Sequence, residues 1–159
     1  IPGFDFGNSP LEHDGRSYQG GNLVCSTTNG TRAIHAARGA QEVVLASIRS
    51  AQAVAEYAAR RGRDLVFFPA GLEGRFSLED TWCAGLILSY CKGIDFGDGA
   101  KTALVLYETM RLEELKDSKH GQRLQALGLN DDLEFCLKPK TSTGVIIWDQ
   151  ETGWGHLGS

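Results

Sequence analysis

The run Cys25-Ser26-Thr27-Thr28-Asn29-Gly30-Thr31-Arg32-Ala33 places hydroxyls, an amide, a glycine and an arginine next to one another between two apolar segments. Leu23-Val24-Cys25 leads into it as a strand-like run, and a helical run over 32–38 leaves it. A strand–turn–helix junction of this kind aims backbone N–H groups and the positive end of the helix at the turn. Ser26, Thr27, Thr28 and Thr31 add hydroxyls, Asn29 adds an amide, and Arg32 a permanent charge on a planar fork suited to an oxyanion. Gly30 permits a close approach or a positive φ. Two readings follow. The turn binds phosphate or another compact anion, or it is an ordinary Thr/Asn helix cap followed by a surface arginine. Residue types alone leave both open.

Carboxylates are the second source of chemistry. Asp5 stands with Asn8 and Ser9 in a loop around Gly3 and Gly7, where turn composition is the competing explanation. Glu73 lies in a second polar loop, 70–76, followed by Ser77-Leu78-Glu79-Asp80. There is no Walker loop, GxGxxG, HExxH or GxSxG, and His13, His35, His120 and His156 form no metal-like pair. His35 falls within a helix as a core or surface residue. A hydrolytic reaction would then rest on carboxylates and a hard cation, with Asp5, Glu73, Glu79 and Asp80 as candidates and Mg²⁺ as the ion suited to phosphates. Glu79 and Asp80 also have a purely structural explanation, because acidic residues at a helix start favour the dipole.

The elements that must position these groups follow from periodicity and punctuation. Strands are expected at 22–26, 41–46, 64–69, 132–137 and 144–148, the run Asp64-Leu65-Val66-Phe67-Phe68-Pro69 being buried. Helices are expected at 32–38, at 51–61 with Ser50 as cap and Gly62 as stop, and after Ser77 through an S-x-x-D cap. A further helical region spans 99–128 in two segments, with Ser118 capping the second and Thr102, Leu106, Met110 and Leu112 facing the core. Alternation of these elements predicts an α/β layer on a mainly parallel or mixed sheet. The loops 26–31 and 70–76 would then open on the same sheet edge. One α/β domain is expected over 1–148, with a polar, frayed tail over 149–159.

The chain has 159 residues, 42% apolar and 23% charged, with a net charge of −4. These values describe one globular domain, and the acidic balance argues against a nucleic-acid partner. No run approaches the length of a membrane span and no secretion signal opens the chain, so a cytoplasmic location is expected. Cys25, Cys83, Cys91 and Cys136 form no CxxC pair and are read as buried small hydrophobes in a reducing compartment. The chain opens directly in a motif at Ile1-Pro2-Gly3, which is read as a processed product or a fragment.

Four ordered motifs resemble the 2-phosphosulfolactate phosphatase (ComB) family. They are Pro2-Gly3-Phe4-Asp5-Phe6-Gly7-Asn8-Ser9-Pro10, the Thr27–Ala33 turn, Ala70-Gly71 with Phe76-Ser77-Leu78-Glu79-Asp80 and Cys83-Ala84-Gly85, and Ser118-Lys119-His120-Gly121 leading to Leu124, Gly128, Asp132 and Phe135-Cys136. The resemblance runs from residue 1 to about residue 137. It implies a three-layer α/β/α fold of two similar halves, here lacking the N-terminal part of the family's chain. It also implies a Mg²⁺-dependent phosphomonoesterase converting 2-phosphosulfolactate, or a related small phosphorylated acid, to the free acid on the way to coenzyme M. Asp5, Asn29, Arg32 and Glu79 would be catalytic. Asn8, Ser9, Thr27, Thr28, Gly30, Thr31 and Arg32 would bind substrate, and Asp5, Glu79 and Asp80 the metal. The alternative is a non-catalytic anion-binding or regulatory module. A truncated core with an exposed sheet edge favours a homodimer.

Overall fold

The computed structural model describes residues 2–158. Six α-helices occur among them: α1 (Gly30–Ala36), α2 (Ala51–Arg61), α3 (Leu78–Tyr90), α4 (Asp98–Thr109), α5 (Lys119–Ala126) and α6 (Asn130–Cys136). Three short strands, β1 (Val43–Leu45), β2 (Ile146–Trp148) and β3 (Gly155–Leu157), form one sheet in the order β1-β2-β3. The fold is mixed α/β.

Local chemistry explains several helix boundaries. Ser77 accepts a hydrogen bond from Asp80 N at 3.1 Å, as the S-x-x-D pattern requires, and α3 follows. Ser118 caps α5 through Gly121 N at 3.0 Å. Gly62 stops α2 in the left-handed conformation, φ 59°. Ahead of α2, however, the capping side chain is Ser47, which accepts from Ser50 N. A 3-10 turn over Ile48–Ser50 intervenes, and Ser50 itself gives α2 no side-chain cap.

The core lies between α2 and α3. Ala51, Val54, Ala55 and Tyr57 of α2 pack with Trp82, Leu86 and Ile87 of α3, closed by Leu115 and Val145. A smaller cluster, Ala84, Leu88 and Ala103, brings α4 onto the other side of α3. Small residues permit this close crossing, and a Cβ on Gly85 would lie 2.1 Å from the Ala103 carbonyl oxygen. Thr102, expected in the core, is exposed; its neighbour Ala103 is the buried position.

The sheet differs from expectation. Both strand pairs are antiparallel, with Val44 opposite Ile147 and Ile147 opposite His156. The segment 155–157, placed in a frayed tail, pairs with β2, whose edge away from β1 exchanges hydrogen bonds with it. Residues 132–137 lie largely in helix α6: Asp131 and Asp132 occupy its first turn, where acidic groups suit the dipole, and the alternating pattern is overridden. Segments 22–26 and 64–69 are not strands. Among the described residues no backbone group of 64–70 pairs with another, so the chain there is unladdered. Val66 is 88% and Phe68 56% exposed, against the buried strand expected. Apolar composition favours extension, but a strand needs a neighbour to exchange hydrogen bonds.

Candidate active site

The Thr27–Arg32 turn is built by its own hydroxyls. Thr31 N donates to Thr27 Oγ1 at 3.1 Å, and Thr27 N donates to Thr31 Oγ1 at 3.3 Å. This reciprocal pair does the capping work at the start of α1. Glycine at position 30 leaves this pair undisturbed, since a Cβ there would meet Thr27 Oγ1 at 2.9 Å. Thr27 and Thr31 therefore follow the cap reading. Asn29 does not: its side chain caps nothing on α1, and its Oδ1 accepts from Glu73 N at 3.1 Å.

That bond joins the two loops grouped by the sequence. The second loop is a tight hairpin in which Leu72 N donates to Arg75 O and Arg75 N to Leu72 O, both at 3.0 Å. Gly71 N donates to Asp80 Oδ2 at 2.8 Å, tying the hairpin to the first turn of α3. A third loop joins from the N-terminal side, where Asn8 Nδ2 donates to Ser26 O at 3.1 Å. Ser9 Oγ donates to Asp132 Oδ1, which anchors the same loop to α6.

The expected site residues divide accordingly. Asn8, Asn29 and the turn 27–31 are brought together, with Asp80 behind the hairpin. Thr28 and Arg32 are exposed and make no side-chain hydrogen bond among the described residues, so both are open to a ligand. Asp5 is exposed and Glu79 half-buried, and neither contacts the other candidates by hydrogen bond. Among the described residues no three His, Cys, Asp or Glu side chains are gathered as a metal-binding group. One Asp80 oxygen is already engaged by Gly71 N. Asp5, Glu79 and Asp80 do not form a ready-made cage for Mg²⁺.

The cysteines take no part in this arrangement. All four are free; Cys83 and Cys91 are half-buried, whereas Cys25 and Cys136 are exposed, contrary to the expectation of burial. Burial, with the Asp80 charge adding to it, pushes the Cys83 thiol up to about 12. A neutral thiol is a poor nucleophile.

The sequence profile of 2-phosphosulpholactate phosphatase matches residues 1–151. The chain belongs to this family. A relative from Clostridium perfringens (strain SM101), bearing the name probable 2-phosphosulfolactate phosphatase, is 45% identical over 141 residues, covering 86% of this chain and 57% of the relative. Relatives of the same name from Symbiobacterium thermophilum and Thermotoga petrophila are 43% and 42% identical, over 94% and 84% of this chain and 67% and 60% of their own lengths. The chain thus spans little more than half the length of several curated phosphatase-family relatives that it matches.

Two residues that tie these loops to the helices were missed as site candidates by residue-type reasoning. Arg123 of α5 reaches Glu73 Oε1 through Nη1 at 2.9 Å. It is separated from Glu73 by fifty positions, and nothing in the local sequence links the two. Asp132, buried beneath Ser9, was visible only as part of a motif and was placed on a strand. No described helix is long and apolar enough to cross a membrane.

Proposed function

We propose that the chain carries part or all of the site of a phosphomonoesterase acting on 2-phosphosulfolactate or a related small phosphorylated acid. The observation supporting this most directly is the convergence of three loops, through Asn8–Ser26 and Asn29–Glu73, around a turn that leaves Thr28 and Arg32 available. Arg32 grips the phosphate or sulfonate through its planar fork, and the Asn29 amide nitrogen donates beside it, since its oxygen is engaged by Glu73. Asp5 and Glu79 are the groups proposed to orient the attacking water and to return a proton to the leaving alkoxide. Mg²⁺ bound with the substrate would neutralise charge on the phosphate. Among the described residues the carboxylates do not converge into a site for it. A three-layer architecture, a cytoplasmic location and a place in coenzyme M formation are proposed together with this activity.

A second reading is favoured by the carboxylates, which among the described residues do not gather into one group. In it the chain binds small anions without turning them over. The test is phosphate release from 2-phosphosulfolactate by the 159-residue chain, with Mg²⁺ and with EDTA. Release abolished by EDTA supports the phosphatase reading and a metal requirement. Binding of phosphate without release supports the second. Arg32→Ala should weaken phosphate binding about tenfold or more, as loss of a charge-assisted pair predicts; unchanged binding would remove the turn from the site.

A further inference from the structure

Glu73 sits where its side chain is least expected. Its φ is +54° and that of Gly74 +77°, and the pair form the tip of the hairpin closed by Leu72 and Arg75. Two successive positive φ values are the requirement of a type I′ turn, which favours Asn, Asp or Gly at both central positions. A glutamate there is strained, and strain held in place by surrounding contacts points to a role. Both ends of Glu73 are engaged outside the hairpin. Its N–H donates to Asn29 Oδ1 at 3.1 Å, and its carboxylate accepts from Arg123 Nη1 at 2.9 Å. Asp80 holds the base of the same hairpin through Gly71 N.

We infer that Glu73 and Arg123 are positioning residues: a clasp running from α5 through the hairpin tip to Asn29, which sets the anion-binding turn. This rests on the anion-binding reading of that turn given above. Arg123 fixes the Glu73 carboxylate, and the hairpin tip then holds its N–H against Asn29. With its oxygen occupied, the Asn29 amide presents its NH₂ donors in one orientation. The ion pair is exposed on both sides, so its effect is on the placement of the turn and not on global stability.

The test uses the full 159-residue chain as wild type, Glu73→Gly, Arg123→Ala and Arg123→Lys, with inorganic phosphate as probe. Amide hydrogen exchange at Thr31 and at position 73 is measured without ligand; phosphate affinity and melting temperature are measured separately. Glycine suits φ +54°, so Glu73→Gly should keep or raise the melting temperature while exchange quickens at both amides. Phosphate affinity should fall about two- to fivefold in Glu73→Gly and Arg123→Ala, the usual range of an exposed ion pair, and recover in part in Arg123→Lys. Unchanged exchange in both Glu73→Gly and Arg123→Ala would overturn the clasp. So would a loss of affinity that only follows a loss of melting temperature. Absence of phosphate binding by the wild type would instead remove the anion-binding reading, while the exchange rates would still decide whether the clasp exists.

Discussion

Thr27, Thr31 and Asn29 are neighbours of similar chemistry, yet the structure gives them different work. The two threonines satisfy each other's backbone N–H groups, whereas Asn29, an equally good cap by residue type, turns to a hairpin forty-four positions away. The choice between cap and ligand could not be read locally, because it depends on whether another loop arrives to take the amide oxygen. The cysteines show the same dependence on surroundings. Cys83 keeps its proton to about pH 12 because burial disfavours the thiolate, while Cys25 is exposed. With a thiol-reactive disulfide reagent at pH 8, Cys25 should react first and Cys83 resist until the protein unfolds. Equal rates for the two would contradict the burial of Cys83. The unfolded thiol ionises near the ordinary value of 9.0 and the folded one only near 12, so this group lowers stability as pH rises across that interval.

At the scale of elements, punctuation was legible and partnership was not. Ser77, Ser118 and Gly62 marked real helix ends because a cap acts within one turn of chain. The α3–α4 crossing depends on a contact across eighteen residues, between Gly85 and the Ala103 carbonyl. Alanine is intrinsically the better helix former by about 1 kcal/mol. At position 85 that gain is overruled, since the added Cβ would lie 2.1 Å from a backbone oxygen that can move only with its helix. Gly85→Ala should cost about 1–3 kcal/mol in urea unfolding, the usual range for overpacking. Gly99→Ala in α4 meets nothing within 4 Å and should be neutral or stabilising by roughly 0.5–1 kcal/mol. A stabilising Gly85→Ala would show that the two helices do not cross this closely.

For the whole molecule, the outstanding feature is the extended, unladdered segment 64–69. Leu65, Val66 and Phe68 are 39%, 88% and 56% exposed, and open backbone groups run alongside them. Such a segment is a template for pairing with another chain, and charged residues are the usual protection against it. We propose that copies of this chain associate through it as a homodimer. Sedimentation over a concentration series should show association by the wild type, and Val66→Lys with Phe68→Lys should shift it to monomer while leaving the helical circular dichroism intact. A wild type that stays monomeric throughout would exclude the dimer.

The sequence by itself determined the family, the helix over 51–61 with its stop at Gly62, and the start of the helix after Ser77. These rest on caps, apolar spacing and ordered motifs, all carried within short stretches of chain. Only the tertiary structure decided that the sheet is antiparallel, that 155–157 completes it, and that 132–136 is helical. It alone brought Arg123 to Glu73 and Asn29 to the hairpin. A strand, an ion pair or a positioned amide is a relation between distant segments, and its free energy depends on geometry that residue types do not encode one position at a time.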